Sequence, residues 1–159
     1  MKLEANMLPK VKDPAPLFEL PDADGKIHKL VDYLGKTIVL YFYPEDDSSG
    51  CTTEACNFRD DYSEYVKAGV VILGVSPDDV KSHQKFSSKY SLSFPILADV
   101  GHVVCDKYGV WGPKKNFGRE YDGVLRTTFL IGPDGKIKKV YENVKPADHS
   151  KEILLDIKG

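Results

Sequence analysis

The chain has 159 residues, 42% of them hydrophobic and 29% charged, with 22 Lys+Arg against 24 Asp+Glu and a formal net charge of -2. This balance fits one folded domain spanning residues 1–159 and excludes a disordered chain, and without a basic excess neither nucleic acid nor an anionic membrane is expected as a partner. The longest apolar stretches, Ile38 to Tyr43 and Gly69 to Val75, are too short to cross a bilayer, and Met1 to Pro14 lacks the apolar core of a secretory leader, so a cytoplasmic protein is expected.

In chain order, Pro16 to Leu20 and Lys26 to Leu30 are short alternating runs joined by Pro21-Asp22-Ala23-Asp24-Gly25, which suits an N-terminal β-hairpin. Thr37 to Phe42 predicts a buried strand, and after a polar loop Ala55, Phe58, Tyr62 and Tyr65 recur at helical spacing. Val70 to Val75 predicts a second buried strand. Ser76-Pro77-Asp78-Asp79 then offers an N-cap, an N1 proline and an acidic N3 to a helix carrying Val80, His83, Phe86 and Tyr90. Phe94 to Ala98 reads as a short strand, and Leu125 to Ile131 and Lys136 to Tyr141 flank the turn residues Gly132-Pro133-Asp134-Gly135. Pro146 opens a last helix in which Ile153, Leu154 and Ile157 share a face. Gly109 to Asp122 reads as a long surface loop, and Glu45-Asp46-Asp47 as a solvated one. The sum is an α/β fold with a mixed central β-sheet flanked by helices on both faces.

Three cysteines are too few for a disulfide framework, so each needs its own account. Cys51 follows Ser48-Ser49-Gly50 between a predicted strand and a predicted helix, which puts it at a helix N-terminus, where free backbone N–H groups and the positive dipole end favour a thiolate. It is the candidate nucleophile. The Ser48 hydroxyl, three residues earlier, can reach the same small volume, although taken alone it reads as a cap. Arg126 is a permanent cation that would hold Cys51 ionised, but an arginine at a strand end ordinarily points to solvent.

Cys51 and Cys56 stand five residues apart, which in an intact α-helix separates their Cα atoms by roughly 8.7 Å. A disulfide tolerates at most about 7 Å, so a bond between them requires the first turns to unwind; the plainer alternative for Cys56 is a packed helix residue. Cys105, among Val103, Val104 and Tyr108, reads as a core cysteine and only a weak second candidate for resolution. His28, His83, His102 and His149 are dispersed, so no metal is expected, and no nucleotide-binding or serine-hydrolase motif is present.

The string Tyr41-Phe42-Tyr43-Pro44 through Ser48-Ser49-Gly50-Cys51-Thr52-Thr53-Glu54-Ala55-Cys56 closely resembles the peroxiredoxins of the bacterioferritin-comigratory, or Q, type. The resemblance continues through Gly74-Val75-Ser76-Pro77-Asp78, Phe94-Pro95-Ile96-Leu97-Ala98-Asp99, Tyr108-Gly109-Val110-Trp111-Gly112 and Arg126-Thr127-Thr128-Phe129. It implies a thioredoxin-like fold with no bound cofactor, and reduction of hydrogen peroxide and alkyl hydroperoxides, with thioredoxin or a similar dithiol as reductant. It implies further that Pro44 shields the site, Cys51 is the peroxidatic cysteine, Cys56 the resolving cysteine and Arg126 the active-site arginine. Ser48 stands where the family usually has threonine, and Ser49 where proline is common. A monomer is expected, with a dimer as the alternative.

Overall fold

The computed structural model describes residues 8–116 and 118–158; the first half of the Met1 to Pro14 segment, residues 1–7, lies outside them. Its centre is a five-stranded sheet in the order β5-β4-β3-β8-β9, built from β3 (Thr37–Phe42), β4 (Val70–Ser76), β5 (Ile96–Ala98), β8 (Thr127–Ile131) and β9 (Ile137–Tyr141). The first three run parallel, and β8 and β9 antiparallel to their neighbours. Two small antiparallel pairs complete the strands: β1 (Glu19–Pro21) with β2 (Ile27–Lys29), and β6 (Trp111–Asn116) with β7 (Arg119–Val124).

Alternation along β3 divides the core in two. Ile38, Leu40 and Phe42 face one cluster, which contains Phe18, Leu20, Val104, Cys105, Tyr108 and Phe129. Val39 and Tyr41 face the other, where α1 (Ser49–Asp60), α2 (Tyr62–Lys67), α3 (Val80–Tyr90) and α5 (His149–Lys158) contribute Cys51, Phe58, Tyr65, Phe86 and Ile153. The short α4 (Val103–Lys107) is the helix packed into the first cluster, so helices flank the sheet on both faces, unequally.

Four local expectations change. The Gly109 to Asp122 stretch is largely the β6–β7 hairpin, turned at Gly118 with φ +77°, because its residues pair in register from Trp111↔Val124 to Asn116↔Arg119. The helical run over Ala55 to Tyr65 is broken at Asp61, whose carboxylate accepts from Ser150 Oγ and Lys151 Nζ of α5 and so fixes the corner. α3 is capped by Asp79, which accepts from Ser82 N at 2.8 Å, and not by Ser76, which ends β4. The acidic run is a solvated loop only in part: Glu45 and Asp47 are exposed, Asp47 pairing at the surface with Lys89 and Tyr90 of α3, but the Asp46 side chain is turned inward and 5% exposed.

Candidate active site

β3 ends at Phe42, and Pro44, two residues on, has no N–H with which to continue the ladder. The chain then crosses the C-terminal end of the sheet and enters α1 through Ser48, an extended N-cap residue with φ −76° and ψ 154°. The Ser48 carbonyl accepts the first helical bond from Thr52 N at 2.8 Å. Cys51 is therefore the third helical residue, in the first turn, where backbone N–H groups have no partner within the helix. It is 1% exposed.

Arg126 reaches this sulfur because of strand register. Phe42, the last residue of β3, pairs with Thr127, the first of β8, so the residue before Thr127 lies at the sheet end from which the loop to α1 departs. Arg126 Nη2 donates to Cys51 Sγ at 3.3 Å, and Nη1 donates to Glu54 Oε1 at 2.7 Å. With its side chain 17% exposed, Arg126 is not the solvated strand-end residue that its position alone suggests. A planar guanidinium holds two acceptors in a fixed relative geometry, which the rotatable point charge of a lysine does not impose. Gly50 leaves the room: a Cβ there would stand 3.2 Å from Arg126 Nη2.

Glu54 is the site residue that sequence reasoning missed. Its signal was available, since Cys51, Glu54, Ala55 and Phe58 follow i, i+3, i+4, i+7 and a carboxylate therefore occupies the buried face of α1. Burial pushes its pKa up to about 7, outweighing the attraction of Arg126. Burial also opposes charge on the Arg126 guanidinium, but Glu54 and then Cys51 overcome it and shift that group upward. Lys114 donates to the Val124 carbonyl at 2.9 Å, and its ammonium is weakened by burial and next by Arg126.

The Ser48 hydroxyl does not cap the helix; it donates to the Glu45 carbonyl at 3.0 Å, which leaves its lone pairs available. Pro44 is half-buried at the head of the loop. Cys56 is half-buried in the same unbroken helix as Cys51 but turned away from it by the five-residue spacing, and all three cysteines are free thiols. Cys105 lies in the core cluster on the opposite face of the sheet, fully buried, with its thiol pushed far up by burial and then by Asp99. The structure does not bring it to Cys51.

The profile of the AhpC/TSA family matches residues 11–140. The chain belongs to that family. It is 48% identical over 144 residues to the peroxiredoxin Bcp of Bacillus subtilis, covering 91% of this chain and 92% of the relative. Among solved structures it is similar to a cysteine-to-serine mutant of Xylella fastidiosa PrxQ, with a TM-score of 0.90, 31% identity and coverage of 96% and 97%. It is similar also to the Xanthomonas campestris bacterioferritin comigratory protein, whose alkyl peroxide reduction activity was studied through trapped intermediate and ligand complexes, with a TM-score of 0.84, 37% identity and coverage of 89% and 90%. These peroxiredoxins share the thioredoxin-like fold, so the mixed sheet takes that name here as well. A Bcp or Q-type peroxiredoxin is an oxidoreductase that reduces peroxides through a cysteine, with a dithiol as electron source.

Proposed function

We propose that Cys51 is the peroxidatic cysteine, that Cys56 resolves it within the same chain, and that thioredoxin or a similar dithiol recycles the pair. The observation that carries this reading is the Arg126 Nη2 contact to Cys51 Sγ at 3.3 Å, on a sulfur seated in the first turn of α1. A fixed cation and free N–H groups both favour the thiolate. The thiolate attacks one peroxide oxygen, the O–O bond breaks, and the second oxygen leaves as hydroxide or alkoxide and takes up a proton. Arg126 meets the charge that develops on that leaving oxygen, and Ser48 Oγ, its hydrogen committed to Glu45, accepts from the peroxide O–H. Pro44 screens the nearly buried sulfur from bulk water.

The product is a sulfenic acid on Cys51, which condenses with the Cys56 thiol to form the disulfide and release water. The two sulfurs meet only after the first turns of α1 unwind. Dithiol exchange returns both thiols, and α1 rewinds. We place this cycle in the cytoplasm, where such a reductant keeps thiols free. Hydrogen peroxide and alkyl hydroperoxides are both substrates in this reading, the latter supported by the activity studied in the Xanthomonas relative.

The test is mass spectrometry of reduced protein after one equivalent of hydrogen peroxide, with peptide mapping. Loss of two hydrogens mapped to Cys51 and Cys56 is expected. Cys51→Ser should abolish turnover, and Cys56→Ser should still form the sulfenic acid but fail to recycle. Full thioredoxin-dependent turnover in Cys56→Ser would assign resolution to another thiol.

A further inference from the structure

The loop between β3 and α1 is also held by a largely buried polar cluster outside the reacting atoms. Asp46 Oδ1 accepts from Tyr43 OH, and Asp46 Oδ2 accepts from Ser82 Oγ, each at 2.7 Å; His83 Nδ1 lies 2.7 Å from the same Oδ2. His83 is fully buried, and its Nε2 stands 2.9 Å from the Leu97 carbonyl of β5. A carbonyl only accepts, so Nε2 carries a hydrogen, and a second hydrogen lies between Nδ1 and Asp46 Oδ2. The Asp46 N–H donates to Asp78 Oδ2 at 2.8 Å, and Asp78 Oδ2 accepts from Ser76 Oγ at 2.7 Å. One donor atom from each of Asp46, Asp78 and His83 lies within 4.8 Å of the others, but these hydrogen bonds already engage them, which gives the cluster a clamp's work.

The amide of Asp46 and the carbonyl of Glu45 belong to one peptide unit. Its N–H is held by Asp78, and its C=O accepts the Ser48 hydroxyl at 3.0 Å. Rotation of that peptide plane would move the acceptor on which the Ser48 hydroxyl rests. We propose that Asp46, clamped by His83, Ser82 and Tyr43, and Asp78 are positioning residues that orient the Glu45–Asp46 peptide and thereby aim Ser48 Oγ at the peroxide. The proposal rests on the role given to Ser48 above. Because the clamp is anchored on α3 and β5, it also stays in place while α1 unwinds.

The test is a double-mutant cycle on the single-turnover rate of Cys51 oxidation by hydrogen peroxide. Asp46→Ala and Asp78→Ala should each slow that step about tenfold in an otherwise native chain, since a small misplacement of a reacting group is costly. In a Ser48→Ala background each should slow it less than about twofold, because residues acting through one another are not additive. Asp46→Asn should remain within about threefold of the native rate, as its amide can donate to His83 Nδ1 while its carbonyl oxygen still accepts from Tyr43. Equal losses with and without Ser48, or no loss in either alanine variant, would overturn the proposal while leaving the peroxidase reading intact. A native protein inert to peroxide would overturn both. Hydrogen exchange adds a reading independent of activity: the Asp46 amide should lose protection in Asp78→Ala and keep it in Ser48→Ala, and protection unchanged in Asp78→Ala would count against the clamp.

Discussion

Glu54 shows how one buried group can set both the order and the pH response of a site. Its carboxylate orients Arg126 by a 2.7 Å bond, yet burial raises its pKa from 4.5 to about 7. In the unfolded chain the group loses its proton near 4.5, whereas in the folded protein it holds the proton until about 7. Folded-state stability from this group is therefore fully present below pH 4.5, falls as pH rises and is lost above about 7, a change of about 3 kcal/mol. Glu54→Gln removes the titration while retaining an acceptor for Arg126. Denaturant unfolding of the two proteins at matched pH values should show the Gln variant gaining on the native chain by about that amount between pH 4.5 and about 8. A constant difference would mean that Glu54 does not titrate in this window.

At the scale of elements, the proposed cycle requires α1 to be stable enough to hold Cys51 and weak enough to release it. Its N-terminal half is glycine and β-branched or small polar residues, Ser49-Gly50-Cys51-Thr52-Thr53, which are modest helix formers. What fastens it is tertiary: Phe58 and Ala55 in the core, and Asn57 Nδ2 donating to the carbonyls of Ala147 at 2.9 Å and Pro146 at 3.3 Å. Asn57→Ala removes that tie, worth about 1 kcal/mol, and should speed disulfide formation from the sulfenic acid roughly fivefold, leaving the peroxide step unchanged. A time course of quenched alkylation separates the two steps. An unaltered resolution rate would argue that opening occurs in the first turn alone, short of Asn57.

For the whole molecule, the proposed cycle has oxidation exchange a packed helix for a disulfide. The sheet and its far cluster have no part in this, while Cys51, Ala55 and Phe58 leave or loosen their places in the near cluster. The oxidised protein should lose far-UV helical signal and unfold at lower temperature than the reduced one, both reversed by a dithiol, because displacing a residue such as Phe58 alone removes on the order of 3–5 kcal/mol of core packing. The same measurements on Cys56→Ser should show neither change after peroxide. The strands β3, β4 and β9, the Gly132 to Gly135 turn and the seat of Cys51 at a helix start were legible in the sequence, because apolar runs, turn chemistry and the change from strand to helical spacing are local. So was the core placement of Cys105. The β6–β7 hairpin was not legible, since its exposed, charged strands carry no apolar alternation, and neither was the break at Asp61, which is imposed from α5. Sequence alone thus determined which cysteine starts the helix, and motif likeness supplied the family. Only tertiary structure decided that Arg126 points inward, that Glu54 holds it and that Asp46 is clamped. Each of those facts depends on strand register or on a contact across tens of residues, which bring together side chains that no local pattern relates.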